Sequence, residues 1–515
     1  MNGAESLVHT LLRNGVDVCF ANPGTSEMHF IAALDKVAGM RCVLTLFEGV
    51  ATGAADGYFR LKETPAATLL HLSPGLANGL SNLHNARKAG SGIVNIVGEH
   101  ASFHLKYDAP LTGDTEGVAR SMSHWVHTSA SSSSVAADAA VAVAVARGVP
   151  HGIATLILPA DASWGPASDV VMAAPPALPR SVSAEALQTV AQALRGDGAK
   201  AMLLGGAALR GVALEWAGRI AAKTGCKLMC EGQNARLERG AGRVKVERLA
   251  HDVGQAYAAL REIRQLVLVG AKVPVAFFAY PDQPSLLVPD SCEVLTLAQA
   301  DHDIPGALEV LAEALGVSAT CRARVTELER PALPEGKVTA QGIASVLVAL
   351  IPENAVVVDE AISVGHGFFP LTIGAAPHDW LNSVGASLGY ALPVAIGAAM
   401  AAPGRRMLAL VGDGSAMYTL QALWTMAHES LNITVIILAN GSYNVLRGEL
   451  VKVGVSDPGR TAIDMISLSS PRLDWVALAQ GHGVPASRAH DLGELARAMQ
   501  RSFASEGPSL IELMI

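Results

Sequence analysis

The sequence predicts an α/β protein built from three doubly wound parallel-sheet domains. Short apolar runs alternate with Ala/Leu-rich helical stretches along the whole chain, the pattern of βαβ units. Half of the 515 residues are apolar, 16% are charged and 50 are glycine, which suits sheets buried under helices on both faces. Two proline-bearing stretches, Pro166–Ser183 and Thr326–Val338, lack apolar periodicity and read as extended connections. They divide the chain into expected domains at 1–170, 183–328 and 336–515, each of ordinary domain size.

In the first domain the expected strands are VDVCF (Val16–Phe20), CVLTLF (Cys42–Phe47), AATLLHL (Ala66–Leu72), GIVNIVG (Gly92–Gly98) and IATLILP (Ile153–Pro159). AMLLGG, QLVLVGA and CEVLTLA repeat the pattern in the middle. AVVVDE, RMLALVGDG, ITVIILANG and PSLIELMI repeat it in the last domain. The serine run Ser131–Ser134 reads as a loop.

The net charge is −8 and no Lys/Arg stripe stands out, so nucleic acid and anionic membrane are not expected partners. No apolar run reaches the ~18 residues of a membrane span. The start, MNGAESLVHTLL, has no basic region before an apolar one and reads as lacking a signal peptide. Of the six cysteines only Cys226 and Cys230 are close in sequence. All six are expected to be buried, reduced thiols of a cytoplasmic protein.

Parallel sheets bind ligands beyond the carboxyl ends of their strands. Gly412, Asp413, Gly414 and Ser415 end the strand RMLALV, and a helix is expected from near Tyr418 through LQALWTMAHES. Asn440-Gly441-Ser442 ends the next strand, ITVIILA, one βαβ crossover later. Asp413 and Asn440 therefore reach the same sheet edge. A carboxylate, an amide oxygen and a nearby carbonyl make a hard-oxygen site suited to Mg²⁺, which completes its shell with phosphate and water. Gly412 and Gly414 let backbone approach a bulky anion, and the helix N-terminus after Ser415 offers N–H groups to phosphate. The bland alternative is a turn that happens to contain Asp.

The stretch GDGSAMYTLQALWTMAHESLNITVIILAN resembles the thiamine-diphosphate motif. The resemblance implies a Mg²⁺ on the cofactor diphosphate, held by Asp413, Asn440 and the carbonyl of Ser442, with Gly412, Gly414, Ser415 and Tyr443 against the cofactor. It extends over the chain. Three domains of this size resemble the pyruvate-decarboxylase and acetolactate-synthase superfamily, with pyrimidine-binding, central and diphosphate-binding domains. FANPGTSEMHF, LFEGVATGAADGYFR, LLHLSPG, SLGYALPVAIG and NGSYNVLR are similar to stretches of benzoylformate decarboxylases.

Glu48 follows an apolar strand and precedes a helix of small residues. A charge there is costly without a purpose; an acid at a helix start is the ordinary alternative. In the family, a Glu in this segment hydrogen-bonds the cofactor's aminopyrimidine and so activates its thiazolium ring. SVGASLGYALP implies that Leu388 bends the cofactor and that a carbonyl near Ala386 accepts from its amino group. DEAISVG would place Glu360, Ile362 and, above all, Ser363 near the diphosphate. His71, in LLHLSPG, matches an active-site histidine, and Thr25, in NPGTSE, matches a substrate-binding serine.

Two departures concern the substrate pocket. A second active-site histidine of benzoylformate decarboxylases has no counterpart in VGAKVPVAFFAYPDQP, which carries Phe277 and Phe278. Glu449 stands where those enzymes have a bulky aromatic. It is either an acid, or a sign that the substrate is not hydrophobic, or a solvated helix residue. LLGGAALRG (Leu203–Gly211) resembles a dinucleotide turn, yet the central domain is expected to hold no FAD.

The leading expectation is a thiamine-diphosphate- and Mg²⁺-dependent decarboxylase of a 2-oxo acid. The alternatives are an acetolactate-synthase-like carboligase, a 2-hydroxyacyl C–C lyase or, last, a non-catalytic subunit, against which Glu48, Asp413 and Asn440 together argue. The resemblance also implies a homodimer or homotetramer with active sites between subunits.

Overall fold

A computed structural model describes residues 1–318 and 320–515 and shows three α/β domains, each around a parallel sheet. The first sheet contains β1 (Val18–Ala21), β2 (Arg41–Leu44), β3 (Ala66–Leu70), β4 (Ile93–Glu99), β5 (Trp125–Thr128) and β6 (Ile153–Pro159), ordered 2-1-3-4-6-5. Along the middle of the chain follow β7 (Lys200–Leu204), β8 (Lys227–Cys230), β9 (Leu237–Arg239), β10 (Glu247–Arg248), β11 (Gln265–Val269) and β12 (Glu293–Ala298). Five of them form a sheet ordered 10-8-7-11-12. The last sheet joins β13 (Val356–Glu360), β14 (His378–Asn382), β15 (Met407–Gly412), β16 (Ile433–Ala439), β17 (Ala486–Ala489) and β18 (Ser509–Met514) in the order 17-18-16-15-13-14-9. Its edge strand β9 comes from the middle of the chain and pairs antiparallel with β14. The strands β3, β4, β6 and β16 are buried at every position, which explains their mostly apolar sequences.

Each order contains a point where neighbouring strands lead their connections in opposite directions, and crevices open there. They lie between β1 and β3, between β7 and β11, and between β13 and β15. The middle one is closed by its own backbone. Gly205 N–H donates to Val269 O at 2.9 Å, and Leu204 bridges Gly270.

Helix α1 (Glu48–Lys62) of the first domain packs along α3 (Ala391–Ala401) of the last, while α2 (Leu72–Ala89) lies beside α1. The small residues read in both segments are what permit this. A Cβ on Gly57 would overlap the Val394 carbonyl, and one on Gly397 the Ala54 carbonyl. Arg60, buried at the end of α1, pairs with Asp56 at 2.7 Å. It also donates to Asn382 O at 2.7 Å, Tyr390 Oη at 3.0 Å and Ala235 O at 3.2 Å. One guanidinium thus joins all three parts of the chain.

Two expectations need correction. The helix after β15 begins at Asp413, not near Tyr418: α4 (Asp413–Ala416) runs into a 3₁₀ turn at Met417–Thr419 and a further helix at Ala422–His428. An acid at a helix start favours that early onset. The six cysteines are all free, but only Cys19, Cys226 and Cys230 are buried, and Cys42 is exposed on edge strand β2. Among the described residues, no helix is long and apolar enough to cross a membrane.

Candidate active site

The crevice of the last sheet is lined by Ala361–Val364 after β13, Leu388, Gly412–Ser415 after β15, and Leu438, Asn440, Ser442, Tyr443 and Val445 after β16. Parallel register aligns these ends: Gly412 pairs with Leu438, and Glu360 with Val411. Asp413 Oδ1 accepts from Gly414 N–H at 3.0 Å, and Oδ2 accepts from Gly441 N–H at 2.7 Å. Asn440 Oδ1 accepts from Ser442 N–H at 2.9 Å. Burial pushes the Asp413 carboxyl up, partly offset by the Gly441 and Gly414 N–H bonds, so a cation at this carboxylate would relieve its desolvation. The Asp413, Asn440 and Ser442 donors are all oxygens, with one carboxylate among them, a set that fits Mg²⁺ sharing its shell with phosphate. Beside them a Cβ on Gly412 would meet nothing nearer than Ser415 Oγ at 3.8 Å, so this face is open to a large anion. Ser363, Leu388, Gly412, Gly414, Ser415 and Tyr443 are thus brought to one place.

Glu360 does not belong to that lining. Its buried carboxylate accepts from Gly389 N–H at 2.8 Å, Tyr390 N–H at 3.2 Å and Ala391 N–H at 2.8 Å. Burial raises its pKa to about 7 against the pull of these bonds. It anchors the start of α3 rather than a phosphate. Ala386 lies in the preceding loop with φ +57°, a left-handed conformation unusual for alanine and a mark of a constrained site. Polar residues of α2 hold this loop. Asn85 Oδ1 accepts from Ser387 N–H at 3.0 Å, Asn85 Nδ2 donates to Ser387 O at 2.9 Å, and Asn82 Nδ2 donates to Gly49 O at 2.8 Å and Gly389 O at 3.2 Å. Asn78, on the same helix, donates to Glu48 Oε2 at 3.0 Å. Glu48 is 5% exposed at the start of α1.

The crevice of the first sheet holds a pair that sequence reading missed. Glu27 follows β1 and His71 follows β3, and His71 Nδ1 lies 2.8 Å from Glu27 Oε2. The same carboxylate accepts from Gly24 N–H at 2.8 Å, while Glu27 Oε1 is buried without a partner. Burial pushes the Glu27 carboxyl up, tempered by His71. A Cβ on Gly98 would overlap that carboxylate, and one on Gly24 the His71 ring, so both glycines are needed for the pair to fit. Leu72, next to His71, has φ +50°. Thr25 is exposed in the same turn as Glu27. An acid in the turn after an apolar strand was the available signal for Glu27, and the i, i+4, i+7 spacing of Asn78, Asn82 and Asn85 was the signal for the α2 face.

Glu48, His71 and Thr25 do not line the crevice of Asp413 within this chain. Phe277 and Glu449 lie outside the lining as well. Phe277 is 40% exposed and packs on His251 with ring centres 4.7 Å apart. Glu449, on α5 (Asn444–Lys452), accepts from the Tyr280 hydroxyl and from Lys452 Nζ, the latter at 3.0 Å. It is therefore not simply a solvated helix residue.

Crevices at strand ends, one with hard oxygens around an open anion seat and one with a buried acid beside an acid–histidine pair, are what a two-part cofactor requires. The chain belongs to the thiamine pyrophosphate enzymes: residues 1–124 match their N-terminal TPP binding domain and residues 368–513 their C-terminal TPP binding domain. IlvX of Mycobacterium tuberculosis, provisionally named an acetolactate synthase large subunit, is 50% identical over 100% of this chain and 99% of its own. The benzoylformate decarboxylase of Pseudomonas aeruginosa is 30% identical over 98% of this chain and 97% of its own. The thiamine diphosphate-dependent 4-hydroxybenzoylformate decarboxylase of Rhodococcus jostii RHA1 shares the fold, with a TM-score of 0.86 and 22% identity over 99% of this chain and 98% of its own.

Proposed function

We propose that this thiamine-diphosphate-dependent enzyme is a Mg²⁺-dependent carboxy-lyase acting on a 2-oxo acid. The observation that carries the reading is the convergence of Asp413, Asn440 and Ser442 beside the open face of Gly412. Asp413, Asn440 and the Ser442 carbonyl would hold the metal. Gly412, Gly414, Ser415, Ser363 and Tyr443 would seat the diphosphate, Leu388 would press on the cofactor, and the carbonyl of Ala386 would accept its amino group. Bound there, the cofactor supplies a carbanion-stabilising ring for cleavage of the bond next to a carbonyl.

Glu48 would hold a proton against the pyrimidine, with Asn78 fixing its carboxylate. The first and last crevices are separate within one chain, so we place each site between Glu48, His71 and Thr25 of one subunit and the Asp413 crevice of another, in a homodimer or homotetramer. Glu27 would fix the His71 Nδ1 side and leave Nε2 to contact the substrate. Thr25 would bind the substrate carboxylate.

The 50% identity to IlvX favours a second reading, in which the acyl fragment is joined to a second carbonyl compound. Incubating the holoenzyme with pyruvate and with aryl and polar 2-oxo acids, then measuring CO₂ and identifying products by NMR, separates the two. An aldehyde supports the lyase and an acyloin or acetohydroxy acid the carboligase. No CO₂ from any 2-oxo acid refutes both.

A further inference from the structure

We propose that His366 and His251 form a proton-transfer pair on the rim of the last domain's crevice, with His366 delivering the proton that the reaction takes up and His251 holding its ring in place. The proposal rests on the 2-oxo acid reading. A 2-oxo acid anion and one proton give an aldehyde and CO₂. Two 2-oxo acid anions and one proton give a hydroxy-oxo acid anion and CO₂. In either case one proton is taken up from solvent, by the acyl carbon in the lyase and by the acceptor's carbonyl oxygen in the carboligase, and a side chain at the crevice must hand it over.

The rim supplies such a group. Ala361–Val364 line the crevice, and the chain turns at once into the 3₁₀ turn Gly365–Gly367, which puts His366 two residues beyond the lining. His251 comes from the middle of the chain, just after β10, and stacks on His366 with ring centres 5.9 Å apart and planes at 26°. Phe277 packs on His251. Both histidines are exposed, and neither ring makes a hydrogen bond to protein among the described residues.

The neighbours set the charge. Each residue keeps an exposed face, but neighbouring atoms partly desolvate both rings, and this lowers their pKa. His251 is lowered further by His366 and Lys452, against Glu449 and Asp252; His366 is lowered by Arg248 and Lys452, against Asp359. The carboxylate beside the pair that could be taken for a donor is Glu449. Burial pushes its carboxyl up, but the bonds from Tyr280 and Lys452 outweigh this and hold it below the usual range. Glu449 therefore stays ionised at neutral pH and is not the donor. It ties α5 to the loop carrying Phe277 and Tyr280, and so fixes the wall against which His251 rests.

His366→Gln and His251→Gln in the holoenzyme test the pair. His366→Gln is expected to lower kcat for CO₂ release by about 10²-fold or more, with cofactor affinity and Tm unchanged and the His366 limb gone from the pH profile. His251→Gln is expected to lower kcat less. Imidazole NMR gives a readout independent of turnover: His251 should titrate below ~6.5 in the native protein and move upward in His366→Gln. Turnover within about twofold of native with an unchanged pH limb in His366→Gln, or a His251 titration indifferent to that substitution, overturns the pair. A native enzyme that releases no CO₂ from any 2-oxo acid overturns instead the functional reading beneath it.

Discussion

The Asp413 carboxylate accepts the Gly441 N–H at 2.7 Å and so ties together the ends of two neighbouring strands. That bond answers why an Asp between glycines follows one apolar run and an Asn-Gly ends the next. Gly441 has φ +64°, a turn that a side chain resists. The turn brings its N–H to Asp413 and leaves Asn440 and Ser442 on the same side of the crevice.

Loss of the Glu48 carboxylate is expected to separate binding from chemistry. Glu48→Gln keeps the shape and the Asn78 contact. It is expected to bind thiamine diphosphate and Mg²⁺ as the native chain does while losing about 10²–10⁴-fold in turnover. Calorimetry with the cofactor, beside a CO₂ assay, checks both halves; undiminished turnover removes Glu48 from its assigned role.

The Glu27–His71 pair makes a paired prediction. Glu27→Gln replaces a charge-assisted bond of about 1.5–3 kcal/mol with a weaker one, so kcat should fall by roughly tenfold or more with Tm little changed. Gly98→Ala puts a methyl into the Glu27 carboxylate and should lower stability by about 1–3 kcal/mol. Denaturant melts and steady-state kinetics read both. A Gly98→Ala protein as stable as the native one would contradict the packing described.

Glu360 gives stability a pH dependence with a definite sign. Its pKa is raised by burial from 4.5 to about 7, so folding favours the protonated carboxyl. That contribution is complete below 4.5 and is lost as the pH rises through about 7. Comparing Tm with Glu360→Gln across this window cancels the other titrating groups. The native protein should lose ground relative to the variant as the pH rises, and a constant gap would show that Glu360 does not titrate there.

Arg60 is the buried cation that joins the three parts of the chain. Arg60→Met leaves Asp56 buried and unpaired and should destabilise the fold by about 3–5 kcal/mol. Unfolding should also become less cooperative between the first and last domains, which differential scanning calorimetry resolves.

Where periodicity is strong, the sequence was legible nearly to the residue: Ile153–Pro159 is a strand as read, and the GDG and Asn-Gly stretches end neighbouring strands. The weaker strands Trp125–Thr128, His378–Asn382 and Ala486–Ala489 were not read, because polar and charged residues interrupt them. Leu237–Arg239 escaped for another reason. Its pairing with His378–Trp380 is set by tertiary contact across the chain, which no local pattern encodes. The same holds for His251 and His366, which are distant in sequence and meet only because β10 and the turn after β13 do. Glu360 was misplaced because a carboxylate at a strand end looks alike whether it faces a ligand or a helix start.

The measurement closest to the central claim is titration of thiamine diphosphate into native and Asp413→Asn protein, with and without Mg²⁺. Native protein should bind the cofactor tightly only with Mg²⁺, and Asp413→Asn should weaken that binding by more than about 100-fold, beyond the 10–100-fold typical of residues that merely support a ligand. Equal binding by both proteins, or binding indifferent to Mg²⁺, would contradict the account.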